Sequence, residues 1–320
     1  MILLLTGLTT GCLTLDTLVH TNKHCSNTGP DTSACVDADN TWDDACLSCE
    51  DPYVWDEEYP WFEGQLDPGQ SVRPIDETTV VNHRLDTDDG EGVLDVWLVP
   101  GHGDNAQLTI LYNHGNYIGI EHYMPRLRYF HEAGYTVIVW DYRGYGKSEP
   151  AGAPTGTQWV EDAHLVRDFA DTVAPDPERI AIYANSVGGI PSVEMAVYDP
   201  GCALVLEAGF TSIESISAEN NAVALPGAFL TEGHFENHEK IKDYEGPLFS
   251  MVGTEDNKFS PESITEVYDN AGTPDELKRL WVVEGVGHGI STAGIPETHL
   301  STYLDAMDSF FDEEGAACRP

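Results

Sequence analysis

Basic side chains are scarce in this chain: 15 lysines and arginines stand against 55 aspartates and glutamates, a formal net charge of -40 at pH 7. A surface of that sign repels phosphate backbones, which excludes nucleic acid as an expected partner. Long apolar runs are missing too. The opening Met1-Ile2-Leu3-Leu4-Leu5-Thr6-Gly7-Leu8 falls well short of the ~20 residues that a membrane-spanning helix needs. There is no internal repeat, so solenoids and propellers are set aside. There is no second Cys-x-x-Cys to complete Cys46-Leu47-Ser48-Cys49 as a zinc set, and no strand–helix–strand unit surrounds that pair as a redox motif would require. What the chain has in quantity is core material. Its 320 residues are 41% hydrophobic and 10% aromatic, more than a disordered chain carries and enough for one large core.

The short apolar start suits the h-region of an export signal, although the usual basic n-region is absent. Leu8-Thr9-Thr10-Gly11-Cys12 resembles a bacterial lipobox, with Thr9 where that pattern prefers leucine, and makes Cys12 the expected lipidation site and point of membrane attachment. An ordinary secretory signal and a buried hydrophobic N-terminus are the other readings. Of the seven cysteines, removing Cys12 leaves an even set of six, as disulfides in an oxidising compartment require, with the connectivity open. The chain divides into an export signal (1–12), an acidic, cysteine-rich extension (13–75) and one large domain (76–320). Within the extension, Asp37–Asp44 faintly suggests an oxygen-ligand loop but lacks the glycine and spaced glutamate of an EF-hand, so a solvated acidic loop is the better reading.

From about Thr78 the texture becomes β-branched runs alternating with helical stretches. Strands are expected over Thr79–Arg84, Val93–Val99, Leu108–Asn113, Thr136–Asp141, Arg179–Tyr183, Ala203–Glu207, Pro247–Gly253 and Arg279–Glu284. The last six are nearly continuous apolar runs, as in parallel strands covered on both faces; the first two alternate, which suits an antiparallel edge. Helices are expected over Glu121–Ala133, Thr157–Val173, Val187–Tyr198, Pro261–Ala271 and Pro296–Phe311. The alternation implies an α/β domain: an eight-stranded, mostly parallel sheet flanked by helices. One interval, about 210–246, is too long for a simple connection and is read as a short cap insertion, either a lid or a plain surface excursion.

Acyl transfer by serine needs a hydroxyl, a base, a group that orients the base and donors for the oxyanion, gathered beyond the carboxyl ends of the strands. Ala184-Asn185-Ser186-Val187-Gly188-Gly189 follows the fifth strand. Its small residues two before and two after Ser186 suit a nucleophile elbow, with Ala184 in place of the first glycine. His114-Gly115-Asn116 follows the third strand, so that the Asn116 and Val187 N–H groups form the expected oxyanion hole; a turn capping a strand would explain this tripeptide equally well. Asp256 follows the seventh strand as the orienting carboxylate, with Glu255 its competitor. His288, set among glycines after the eighth, is the expected base. The order Ser186, Asp256, His288 carries more weight than any of the three alone, and this chemistry calls for no metal and no cofactor.

From about Val80 to Phe311 the chain resembles an α/β-hydrolase, and most of all the branch of lysophospholipid lipases and protein depalmitoylases. The resemblance rests on His114-Gly115-Asn116, on Asp141-Tyr142-Arg143-Gly144-Tyr145-Gly146-Lys147-Ser148, and on Glu207-Ala208-Gly209-Phe210-Thr211-Ser212-Ile213. It implies an α/β-hydrolase fold, a structural role for the 141–148 segment with Asp141 and Arg143 bracing the loop near the site, and a small-molecule or lipid ester as substrate. Three functions remain to be separated: an exported serine esterase, a peptidase, amidase or thioesterase on the same framework, and a lipid-anchored binding protein without catalysis.

Overall fold

The computed structural model describes residues 23–24, 75–116, 119–151, 154–212, 235–289 and 294–319. Cys12, the cysteines from Cys25 to Cys49, the Asp37–Asp44 run and most of the 210–246 interval (213–234) lie outside the described residues.

Strands form where the β-branched runs lie: β1 (Val81–Asp86), β2 (Val93–Val99), β3 (Thr109–Asn113), β4 (Thr136–Asp141), β5 (Ile180–Asn185), β6 (Ala203–Glu207), β7 (Leu248–Gly253) and β8 (Lys278–Val283). They make one eight-stranded sheet in the order β8-β7-β6-β5-β3-β4-β2-β1. Strands β3 to β8 pair in parallel, while β1 and β2 are antiparallel additions at one side. Two expectations change in detail. β2 is an interior strand, buried over Leu94–Trp97, because β1 covers its outer side. β8 is the opposite edge and is half-exposed, with Val282 facing solvent, since nothing pairs beyond it among the described residues.

The helices are α1 (Met124–Glu132), α2 (Gly156–Val173), α3 (Gly189–Tyr198), α4 (Asn237–Lys240), α5 (Pro261–Asn270) and α6 (Ile295–Asp312). Their starts are marked in the sequence. Thr155 and Gln158 form a reciprocal capping box before α2, and Ser260 caps α5 ahead of Pro261. Because successive strand residues point to opposite faces, each central strand feeds two cores. Ile182, Leu204 and Val252 join the cluster with α2, α3 and α5, while Tyr183, Val205 and Phe249 join the one with α1 and α6. Among the described residues no helix is long and apolar enough to cross a membrane.

Two ties bind distant segments. A disulfide joins Cys202, just before β6, to Cys318 after α6. Lys23–His24, in the extension, pairs in parallel with Tyr145–Gly146 of the domain. The 141–148 segment is held by its own side chains. Asp141 accepts from Ile120 N–H at 2.8 Å, and Ser148 Oγ accepts from Asp95 N–H at 2.8 Å. Buried Arg143 grips Asp162 through Nε and Nη2, both at 2.7 Å, and Asp89 through Nη1 at 2.7 Å. That guanidinium holds the Asp89 carboxyl well below the usual carboxylate range. A carboxylate with a depressed folded pKa stabilises above its unfolded value and loses that contribution as the pH falls. Asp89→Asn is therefore expected to cost on the order of 1 kcal/mol after solvent screening, roughly 2–4 °C in Tm, at pH 7. Thermal melts against pH should show the gap to the parent narrowing as the pH drops below about 4.

Candidate active site

The sheet order reverses between β3 and β5: from β3 the chain crosses to β4 on one side, and β5 then pairs on the other. The crevice beyond the carboxyl ends of these two strands is where open α/β sheets bind ligands. β5 runs fully buried to Asn185, and the chain turns sharply through the 3-10 segment Ser186–Gly188 into α3. Ser186 takes φ +56°, left-handed backbone that costs a serine roughly 1–3 kcal/mol and persists only when its surroundings hold it. They do. A Cβ on Gly188 would lie 2.0 Å from Asn113 O, and one on Gly189 would lie 2.6 Å from Phe210 N, so both positions need glycine. Phe210 N–H donates to Ser186 O at 2.8 Å. Ala184 is still within β5, opposite Asn113, and its methyl is fully buried, which explains why alanine serves there.

His288 and Asp256 meet this turn from the adjoining loops. His288 Nε2 lies 2.8 Å from Ser186 Oγ, and His288 Nδ1 lies 2.8 Å from Asp256 Oδ2. With Nδ1–H donated to the carboxylate, Nε2 is left to accept the serine proton. The other oxygen, Asp256 Oδ1, accepts from Lys258 N–H at 2.8 Å and Phe259 N–H at 3.0 Å, so the loop itself orients the carboxylate. Asp256 is buried and Glu255 is exposed, which decides between the two neighbours. The Phe259 ring packs 5.3 Å from the imidazole centroid and walls one side of it.

The His114-Gly115-Asn116 loop crosses directly over the serine: a Cβ on Gly115 would stand 3.3 Å from Ser186 Cβ and 2.8 Å from the Tyr123 hydroxyl. Tyr145 OH donates to Asn116 Oδ1 at 2.7 Å, and burial pushes that phenol well above its ordinary range, so it stays a neutral donor. Buried His114 stacks between Tyr123 and Tyr142 and fixes the loop from beneath. Val187 opens the turn after the serine, where the first N–H groups of a helical segment have no partner within it. The residues expected to supply the oxyanion donors are thus the chain neighbours of Gly115 and Ser186, Asn116 and Val187.

Of the residues expected from sequence, Ser186, His288 and Asp256 are joined by hydrogen bonds, and Asn116 and Val187 follow Gly115 and Ser186 in the two loops that meet there. Sequence reasoning missed the groups beneath them. Asn113 ties β3 to α3, donating to Ser192 Oγ and accepting from Trp140 Nε1, both at 2.7 Å. Asn237, at the end of the 210–246 interval, donates to Gly189 O and Phe210 O at 2.9 Å each. It also missed a buried cluster of Arg126, Glu207 and Glu297; Glu207 closes an otherwise apolar strand, but nothing local links it to the other two.

Comparison with known proteins agrees with this architecture. The family described as serine aminopeptidase, S33, matches residues 104–232. The uncharacterized protein Rv2307c of Mycobacterium tuberculosis is 31% identical over 227 residues, covering 70% of this chain and 76% of that one. The α/β hydrolase domain-containing protein aho-3 of Caenorhabditis elegans is 29% identical over 221 residues, 67% of this chain and 60% of its own length. Among solved structures, a Pyrococcus furiosus esterase, Pf2001, superimposes with a TM-score of 0.58 at 19% identity over 73% of this chain and 90% of that one.

Proposed function

Because the chain belongs to the α/β-hydrolase superfamily, we propose that it is a serine hydrolase of carboxylic esters working through a Ser186–His288–Asp256 triad. The observation that carries this is the unbroken Asp256–His288–Ser186 chain of contacts, each 2.8 Å, ending on a serine held in left-handed backbone. Ser186 Oγ attacks the acyl carbonyl and its proton passes to His288 Nε2. The carbonyl oxygen, now negative, takes hydrogen bonds from the Asn116 and Val187 N–H groups. The tetrahedral intermediate collapses, the alcohol leaves with the proton from His288, and an acyl-serine remains. Water then attacks with His288 again as base and releases the acid. Asp256 holds the imidazole in the required tautomer and stabilises its charge.

The family match favours a second reading, since its description names a peptidase. A panel of p-nitrophenyl esters of increasing acyl length, acyl thioesters and aminoacyl p-nitroanilides separates the two. The ester reading expects kcat/KM for the best ester to exceed that of any anilide by at least about 100-fold; anilide turnover matching the esters would move the assignment to peptidase. A non-catalytic binding protein would have no use for a complete triad. Export, with lipid attachment at Cys12, is the localisation we propose; the Cys202–Cys318 disulfide supports an oxidising compartment.

A further inference from the structure

Three charged side chains are buried together beneath the site: Arg126 from α1, Glu207 at the end of β6 and Glu297 in the first turn of α6, each no more than 2% exposed. Arg126 Nε lies 2.7 Å from Glu297 Oε1, and Nη2 donates to Glu297 Oε2 at 3.2 Å. Nη1 donates to Glu207 Oε2, which also accepts from Tyr183 OH; Tyr303 OH in turn donates to Tyr183 OH at 2.9 Å. Among the described residues, Tyr112 and Tyr129 also face the cluster. Two carboxylates on one guanidinium are an expensive way to fill a core, since desolvating each ion costs several kcal/mol and apolar residues of equal volume often serve as well. Burial accordingly raises the Glu297 pKa above its ordinary value.

What the cluster touches suggests why it is there. On one side Glu207 leads into Ala208, whose φ is +45°, and then to Phe210, whose N–H holds Ser186 O at 2.8 Å. On the other side, a Cβ on Gly289 would stand 2.9 Å from Arg126 Nη2, and one on Gly294 would stand 2.7 Å from Glu297 Oε2 and 2.5 Å from Gly289 Cα. Gly289 is the residue after His288. One guanidinium thus lies against the turn that carries the base and is paired to the strand end that grips the nucleophile's backbone. We propose that Arg126, Glu207 and Glu297 are positioning residues, a buried clamp that sets the distance between His288 and Ser186.

The proposal rests on Ser186 and His288 acting as nucleophile and base, and its test keeps the two apart. Arg126→Lys keeps the charge but loses the fork that spans both carboxylates. Glu297→Gln keeps the shape and removes a buried charge, so it tests the clamp even if the lysine variant folds poorly. A misplacement of about 1 Å between reacting groups costs about 100-fold in rate. Both variants are expected to lower kcat on p-nitrophenyl acetate by about 10–100-fold, with KM changed by no more than about threefold. The low-field proton resonance of the His288–Asp256 hydrogen bond should shift or broaden in both. Folded variants with kcat within about twofold of the parent and an unmoved resonance would overturn the clamp alone. Fluorophosphonate labelling that survives Ser186→Ala would overturn the clamp together with the triad beneath it.

Discussion

Ser186→Ala lowers kcat for a p-nitrophenyl ester by about 10⁴–10⁶-fold and leaves the protein folded. The size of the loss follows from what the serine alone supplies. Without Oγ there is no acyl-enzyme, and His288 and the flanking amides retain only the modest acceleration that a base and an oxyanion site give to direct attack by water. The fold survives because the turn is held by backbone and not by the hydroxyl. Gly188 and Gly189 pack against Asn113 O and Phe210 N, and the Phe210 N–H to Ser186 O bond is made by main chain. Steady-state kinetics and a thermal melt on the same preparation check both halves. A loss of less than about tenfold would show that another residue attacks.

Asp256→Asn is expected to be nearly as damaging, by about 10³–10⁴-fold in kcat, with KM little changed. The direction follows from the carboxylate's two oxygens. Oδ1 accepts from Lys258 N–H and Phe259 N–H, so the asparagine carbonyl oxygen settles there and its NH₂ is turned toward His288 Nδ1. A donor facing Nδ1 moves the imidazole proton to Nε2, and Nε2 can then no longer accept from Ser186. Glu255→Gln, one residue away but exposed, should leave kcat within about twofold, because nothing in the catalytic chain of contacts touches it. Equal losses in the two variants would mean that the effect is one of acidic charge in the loop rather than of the tautomer.

Much of the framework was legible in the residues. Apolar, β-branched runs marked β3 to β7 to within two residues at each end, because those strands are covered on both faces and have no alternation to blur. The edge strands were less plain. β1 lies two residues further along than its alternation suggested, and β8 is apolar in sequence yet half-exposed, since an edge position is decided by which strands pair and not by composition. The site was legible because an open parallel sheet gathers whatever follows its strands, so Ser186, Asp256 and His288 could be read from order alone. The choice of Asp256 over Glu255 needed the loop's own hydrogen bonds. Arg126, Glu207 and Glu297 come from three separate elements, and no local pattern announces a cluster whose members meet only across the packed molecule. The pairing of Cys202 with Cys318, 116 residues apart, is invisible for the same reason.

The central claim is that Ser186 is the nucleophile, and the most direct measurement is where an activated phosphonate attaches. Incubating the folded protein with a fluorophosphonate and mapping the adduct by peptide mass should place one equivalent on the peptide containing Ser186. The adduct should be absent from Ser186→Ala and strongly slowed in His288→Ala. An adduct on any other serine, or a fully folded protein that takes up no probe, would contradict the assignment.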